Sequence, residues 1–312
     1  MATFLQRLKG MGSINYNYTL IIPNYNTSGY LSRLLGSIPQ RVDMQVIVVD
    51  DCSTTGLEEL QKLRLKYSWI EWYATESNGG GGKARNEGLK YAKGKWVLFA
   101  DSDDYFTGNL NTILDEYKDR EHDIVYFNAI VEDENGKERN RSSRVPRIIN
   151  EVAASFNASK IKFRLSQPWA KLIKRELIDS YGIVFEESKG SNDVKFSIKT
   201  DFYAKNLFID NRIFYVNVKR KNSVTDNRSK EMLLERYRIS CWRYAFIKSH
   251  GYCIKDNEGY LGKKIWVILK YLGDITLREL INISNTYQIP SYIIYGYYLK
   301  YSIKLKWQKL RS

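Results

Sequence analysis

Cysteine is scarce in this sequence: Cys52, Cys241 and Cys253 are the only three in 312 residues. They are odd in number, widely spaced and free of any Cys-x-x-Cys pairing, which excludes a disulfide framework and a zinc site and suits a reducing cytosol. Histidine is scarcer still, and neither His122 nor His250 has a partner motif, so both read as structural. No stretch reaches about 18 uninterrupted apolar residues. Met1 to Tyr16 also lacks the continuous apolar core of a secretion signal, so no membrane-spanning segment is expected. Repeats and low-complexity tracts are absent. Acidic side chains are in deficit, 35 against 49 Lys and Arg, for a net charge of +14 and a pI near 9.4. That imbalance implies an anionic partner, whether nucleic acid, a membrane face or a phosphorylated substrate, and charge alone does not choose among them. An apolar content of 43% argues against disorder and supports a sizeable core, in one large domain or two small ones.

What is present begins with an alternation of strands and helices. Tyr18 to Ile22 reads as a strand that Pro23-Asn24-Tyr25-Asn26 breaks. Tyr30, Leu31, Leu34, Leu35 and Ile38 then recur with a helical period. Val46 to Val49 is a second buried strand, ending in Asp50-Asp51-Cys52-Ser53, and Leu57 to Tyr67 a second helix. Ile70 to Tyr73 makes a third strand, Asn78 to Gly82 a flexible glycine loop, and Lys83 to Ala92 a third helix. This order predicts an α/β fold with a Rossmann-like, mostly parallel sheet flanked by helices and right-handed crossovers. Ligands in such sheets sit beyond the carboxyl ends of the strands, so the loops carrying Tyr25, Asp51 and Asp103 should surround one crevice.

The stretch Lys95 to Tyr105 holds the candidate chemistry. Trp96 to Ala100 is short and apolar, as a strand buried on both faces would be, and it runs into Asp101-Ser102-Asp103-Asp104. In extended backbone, residues two apart point the same way, so Asp101 and Asp103 can face one cation while Ser102 points away. Oxygen ligands completed by water suit Mg²⁺ or Mn²⁺ rather than zinc. The alternative is a polar turn whose Asp residues cap the next helix. Gly82-Lys83 is not a phosphate-binding P-loop, because Ser77 stands where its first glycine belongs and Ala84 where Ser or Thr would bind Mg²⁺.

From Asp123 the pattern changes. Ile124 to Asn128 is strand-like and Glu132 to Lys137 a hydrophilic turn, which reads as an insertion rather than another βα unit. A short helix to Tyr181, a loop entering a helix at Gly190 to Phe196 and a strand over Ile213 to Val218 follow. Beyond Ser229 the chain is helical over Glu231 to Lys248, Lys263 to Leu272 and Ser291 to Lys309, and rich in Tyr, Trp and Lys. The expected divisions are a lead (1–17), a nucleotide-sugar-binding half (18–120), an acceptor-side half of the same domain (121–228) and a helical, basic and aromatic extension (229–312).

The motifs fall in a recognisable order: Ile21-Ile22-Pro23-Asn24-Tyr25-Asn26, Val48-Val49-Asp50-Asp51-Cys52-Ser53, Asn78-Gly79-Gly80 with Ala84-Arg85-Asn86, and Asp101-Ser102-Asp103-Asp104. Together they resemble the family 2 glycosyltransferases, bacterial enzymes of GT-A fold. The likeness is strong over residues 18 to about 110 and weaker, through Trp169-Ala170-Lys171-Leu172 and Asn192-Asp193, to about 225. The resemblance implies an inverting, metal-dependent transferase that moves sugar from a nucleotide diphosphate sugar, most often UDP-linked, to an acceptor hydroxyl. It also implies a role in bacterial surface polysaccharide or lipopolysaccharide synthesis. The donor would then lie against Pro23, Tyr25, Asp51, Arg85, Asp101, Ser102 and Asp103. Tyr25 would flank the base, since an aromatic face stacks on any pyrimidine. Asp51 would accept from a uracil N–H, or else cap a helix. Arg85 would reach the ribose or diphosphate, and Asn86 would brace the loop. Asp101 and Asp103 would hold Mn²⁺ or Mg²⁺.

The family's catalytic base lies in a Glu-Asp pair before a helix, which aligns with Asn192-Asp193. Asp193 keeps the base and Asn192 replaces the Glu, a departure that bears on acceptor orientation; the alternative is that Asp193 caps its helix. Trp169 reads either as an acceptor-side wall or as a core residue. Lys219, Arg220 and Lys221 read as a solvated basic face, with closure over the diphosphate as the other reading. The acceptor would be a saccharide or lipid-linked saccharide. The expected location is cytoplasmic, with a peripheral place on the inner face of the plasma membrane as one reading of the C-terminal segment, because the aromatic and basic alternation from Lys263 to Arg311 suits an anionic headgroup interface. A lid packed on the catalytic domain is the competing reading. Two other functions fit less well. A nucleic-acid-binding protein has no use for Asp51, Asp101 and Asp103, and a catalytically silent scaffold has no need of intact acidic motifs.

Overall fold

A computed structural model describes residues 15–139, 143–188, 190–220, 226–252, 255–272 and 275–309. The chain divides into two compact units, Met1–Lys221 and Asn222–Ser312. Cys253, Lys221 and Arg311 fall outside the described residues.

The first unit is built on one eight-stranded sheet in the order β3-β2-β1-β4-β7-β6-β8-β5. Its strands are β1 (Tyr18–Asn24), β2 (Met44–Asp50), β3 (Glu71–Ala74), β4 (Trp96–Phe99), β5 (Tyr105–Phe106), β6 (Ile124–Asp133), β7 (Lys171–Lys174) and β8 (Leu207–Lys219). Helices α1 (Ser28–Ser37), α2 (Leu57–Lys66), α3 (Gly81–Lys90), α4 (Leu110–Tyr117), α5 (Arg144–Ala154), α6 (Arg175–Ser180) and α7 (Asp193–Tyr203) connect them. Strands β1 to β4 are parallel to one another, and every residue of β2 and β4 is buried, as the continuous apolar runs require. The edge strand β3 is only partly covered.

Several expectations need correction. Pro23 does not end β1, which continues to Asn24 with Pro23 opposite Val49. Ile21 turns its carbonyl toward Ala100, just past the end of β4. Pro23 faces the same side two residues on, where β4 has run out, so its missing N–H leaves no ladder bond unmade. Gly81 and Gly82 are not loop but the first residues of α3. The segment after Asp123 is no insertion: β6, β7 and β8 continue the same sheet, with β7 antiparallel to both β4 and β6 and β8 parallel to β6. The two-residue β5, α4 and α5 were not expected from the sequence. Trp169 is buried in the core, stacked on Tyr215 with ring centroids 5.1 Å apart, which matches the core reading of that residue.

The second unit is helical: α8 (Lys230–Ser249), α9 (Lys255–Tyr271), α10 (Leu277–Asn285) and α11 (Ser291–Lys309). Ser229 caps α8 by accepting from the Met232 amide, and Thr276 and Glu279 form a reciprocal capping box at α10. Leu233, Tyr237, Cys241, Leu261, Ile265, Leu280 and Ile294 form its core. Among the described residues, no helix is long and apolar enough to cross a membrane.

Candidate active site

An open cleft of about 140 Å³ lies at the carboxyl ends of β1, β2 and β4, lined by Pro23, Asn24, Tyr25, Asp51, Gly81, Asp101, Ser102 and Asp103. The three loops expected to share a crevice therefore do so. The loops after β1 and β2 are stitched together. Asn24 donates to Asp50 at 2.7 Å, and Asn26, held at φ +54°, accepts from the amides of Thr54 and Thr55 at 2.7 and 3.0 Å. Tyr25 is left 45% exposed on the rim, free to offer its ring face.

Asp51 is buried, and its carboxylate is occupied by its own chain. It accepts from Thr75 Oγ1 at 2.7 Å, from the Gly79 amide at 3.1 and 3.2 Å, and from the Gly80 amide at 2.6 Å. It therefore moulds the glycine loop, and it caps no helix through its side chain. Gly80 adopts φ +82°, a backbone region open chiefly to glycine. At Gly82 a Cβ would stand 2.1 Å from the Glu186 carbonyl oxygen and 2.9 Å from Asn192 Cβ. The start of α3 thus seats directly against the loop that carries Asn192.

Residues 101–104 form a turn, closed by the Asp104 amide donating to the Asp101 carbonyl at 3.0 Å. The extended-strand argument for Asp101 and Asp103 therefore does not hold, and Ser102 does not point away from the site. It lines the cleft, with Oγ 2.7 Å from Thr27 Oγ1. Each flanking carboxylate meets a guanidinium. Arg85 donates to Asp101 Oδ1 at 2.5 Å, and Arg220 donates to Asp103 Oδ2 at 2.5 Å. Burial pushes the Asp103 carboxyl above the usual range and the Asp101 charge adds to this, while Arg220 opposes both.

Asp104, fully buried, accepts from Tyr215 Oη at 2.5 Å, Asn217 Nδ2 at 3.1 and 3.2 Å, and the Val218 amide at 2.7 Å. The same Tyr215 hydroxyl accepts from the Asp101 amide at 3.0 Å. Burial holds the Asp104 carboxyl well above its ordinary value. Its task is to fasten the turn to β8.

Arg85 joins the two sides of the site. Besides Asp101 it donates to Asn192 Oδ1 at 3.2 Å, and its guanidinium lies 5.3 Å from the Phe185 ring centroid. Its Nε is buried without a partner among the described residues. Asn86 braces the neighbouring loop, donating to the Phe185 carbonyl and accepting from the Phe185 amide. Asn192 occupies the cap position of α7 without a side-chain capping bond, and half-buried Asp193 follows as the first helical residue. Burial raises the Asp193 carboxyl, Arg85 counters it, and Asp101 and Lys171 act on it more weakly in opposite senses.

Three contributors were missed by the sequence reading. Arg33 donates to the Asp103 carbonyl at 2.5 Å, Tyr215 organises the turn from more than a hundred residues away, and Lys171, fully buried, donates to the Leu165 carbonyl at 3.1 Å. Burial lowers the Lys171 amine to about 8. Lys171 lies within the Trp169-Ala170-Lys171-Leu172 motif and Arg33 on a helix expected from the sequence, but Tyr215 gives no local signal. Arg220, read within a basic cluster, is a partner of Asp103 stacked 4.7 Å from the Tyr30 ring centroid.

No group of three or more His, Cys, Asp or Glu side chains that could cage a metal occurs among the described residues. Two carboxylates do suit Mg²⁺ or Mn²⁺ when phosphate oxygens and water complete the shell. Burial first and the Asp101 charge second raise the Asp103 carboxyl, and a cation there would offset both.

A mostly parallel, helix-flanked sheet with an acidic turn beyond its central strand defines a GT-A type of protein. The sequence profile of Glycosyl transferase family 2 matches residues 19–182, and the chain belongs to that family. Among relatives, the poly(ribitol-phosphate) β-N-acetylglucosaminyltransferase TarS of Staphylococcus aureus is 32% identical over 219 residues, covering 65% of this chain and 36% of TarS. A poly(ribitol-phosphate) β-glucosyltransferase of Bacillus spizizenii is 30% identical over 217 residues, covering 65% of this chain and 32% of that protein. The matched region thus spans about a third of either relative's length. The crystal structure of TarS 1–349 with UDP-GlcNAc superimposes with a TM-score of 0.63 at 22% identity, over 89% of this chain and 82% of that one, which establishes the shared fold.

Proposed function

We propose that this chain transfers a sugar from a UDP-sugar to an acceptor hydroxyl with inversion at the anomeric carbon. The observation that carries the reading is the cleft that brings Tyr25, Asp51, Asp101 and Asp103 together beyond the ends of the parallel strands. The uracil would lie against Tyr25 and Pro23, and the diphosphate would approach Asp101, Asp103 and the start of α3, where glycines permit close contact. Asp51 contributes by shaping the glycine loop; a bond to uracil would add to bonds it already accepts. Asp101 and Asp103 would hold a divalent cation, Mn²⁺ or Mg²⁺, which when bound supplies counter-charge to the departing diphosphate. A mannosyltransferase of Pyrobaculum calidifontis sharing the fold has a solved structure in complex with GDP-Man and Mn²⁺.

Asp193 serves as the general base. It stands at the first helical position of α7 and not at the cap, and a carboxyl pushed up by burial takes a proton better than an ordinary one. Arg85 is the positioning residue between the donor carboxylate and the Asn192-Asp193 corner. The acceptor is a surface polymer, and a phosphate-bearing polyol chain suits both the +14 net charge and the relatives named above. We place the reaction at the cytoplasmic side of the envelope, where nucleotide sugars are made.

The experiment is a thermal-shift panel of nucleotide sugars with Mn²⁺. A true donor should raise the melting temperature, since binding to the folded state stabilises it. Asp103→Ala should abolish the metal-dependent shift and turnover, and Asp101→Ala should reduce them less completely. Unchanged turnover of Asp103→Ala in the presence of chelator would overturn the donor assignment.

A further inference from the structure

Helix α11 carries two apolar faces, and the second unit uses only one. Ile294 is fully buried in that unit's core, and Ile293, Tyr297 and Tyr298 pack against it. Tyr292, Tyr295, Leu299, Ile303 and Trp307 recur at intervals of three and four residues, so they share one stripe of the helix. They are 75%, 54%, 48%, 48% and 60% exposed. At 1.5 Å per residue the stripe is about 22 Å long. Scattered exposed apolar residues are ordinary on a protein surface, but a continuous apolar row marks an interaction face.

The charges around the stripe select the occupant. Lys300, Lys304 and Lys306 are exposed, and the helix sequence SYIIYGYYLKYSIKLKWQK contains no Asp or Glu. Two copies of this chain meeting stripe to stripe would bring these lysines together with no carboxylate on either helix to pair them. Tyr and Trp on the apolar side, with Lys300 at its border, Lys306 within its last turn and Lys304 further round beside the Trp266 ring, instead match the boundary between lipid headgroups and acyl chains. There, aromatic rings span the polarity step, and lysine stems cover apolar surface while their ammonium groups reach anionic phosphates. No described helix is suited to crossing a bilayer. We infer that α11 lies flat in the headgroup region of an anionic membrane through Tyr292, Tyr295, Leu299, Ile303 and Trp307. The expectation of a membrane-facing aromatic segment is thereby divided: Tyr297 and Tyr298 turn inward, and the five stripe residues face out.

Flotation of the full chain with vesicles of phosphatidylcholine, alone or mixed with phosphatidylglycerol, tests the inference. The wild-type chain should float with the anionic vesicles, stay behind with the neutral ones, and lose binding as salt rises. Leu299→Glu/Ile303→Glu should lower vesicle binding by about tenfold or more, because two charges would enter the acyl boundary. Lys300→Gln/Lys306→Gln should weaken binding only to anionic vesicles. Since Tyr292 and Trp307 are largely exposed, Tyr292→Ser/Trp307→Gln is a second stripe variant that leaves the core untouched; it too should lose binding. Failure of the wild-type chain to float, or equal flotation of the folded stripe variants, would overturn the proposal. So would a wild-type dimer in sedimentation that the stripe variants convert to monomer, since the face would then belong to a second copy. Thermal shift by the sugar nucleotide reports on the cleft separately, so it should be the same in all these variants.

Discussion

Asp193 stands one position inside α7, with Asn192 at the cap and Arg85 between it and Asp101. Asparagine at this position keeps size and polarity but takes no proton, so Asp193→Asn should lower kcat by about 10²- to 10⁴-fold. The affinity for the sugar nucleotide should hardly change, the pattern of an interaction made mainly in the transition state. Wild-type rates in a transfer assay would reduce Asp193 to a structural residue, and retention of anomeric configuration in the product would rule out single displacement. The pH profile follows from the same carboxyl. Its pKa is raised above 3.8, with burial as the largest cause, so protonation begins at a higher pH than for an exposed aspartate. Only the deprotonated form accepts a proton. The acid limb of kcat should therefore fall through a midpoint above 3.8, and the residual activity of Asp193→Asn should lack that limb.

At the scale of elements, the start of α3 shows how backbone contact sets side-chain chemistry. A methyl group at Gly82 cannot coexist with the Glu186 carbonyl at 2.1 Å, so Gly82→Ala should push the loop bearing Asn192 and Asp193 outward. Overpacking of this kind costs about 1–3 kcal/mol, which a urea melt would register. Transfer should fall more than donor binding. Gly108→Ala, with nothing within 4 Å of the added carbon, is the matched control and should behave as wild type.

The sequence made β1, β2, β4 and their loops readable because buried parallel strands are continuous apolar runs closed by polar residues. It misled at Pro23 and at Gly82, where the neighbouring strand's length and a tight packing contact overrode local preference. Helix α5 repeats its apolar residues at Val145, Ile148, Ile149 and Val152, and α10 begins with the capping box of Thr276 and Glu279. Both signals were present and unread. The pairings of Asp103 with Arg220 and of Asp104 with Tyr215 carried no such signal, since nothing local marks partners so far apart in the chain.

For the whole molecule, Asp104 ties the acidic turn to β8. Asp104→Ala would strand the Tyr215 hydroxyl, the Asn217 amide and the Val218 N–H in a buried setting. A loss of about 2–5 kcal/mol is expected by chemical denaturation. Asp104→Asn keeps one acceptor oxygen and should lose less. Because the folded-state pKa of Asp104 is raised by burial, its contribution is fullest below the unfolded pKa and declines as pH rises through the folded one. The stability gap between wild type and Asp104→Asn should accordingly narrow with rising pH.

That fastening also orders events in time. Tyr215 and Val218, which hold Asp104, lie 111 and 114 residues beyond it, and Arg220 lies 117 residues beyond Asp103. A nascent chain emerging from the ribosome already carries Thr27, Arg33 and Arg85, which reach the turn, while Tyr215, Val218 and Arg220 are still untranslated. The apolar strands around it can pair early, but long-range closure comes last. The turn's fastening to β8 is thus completed only near the end of translation of the first unit.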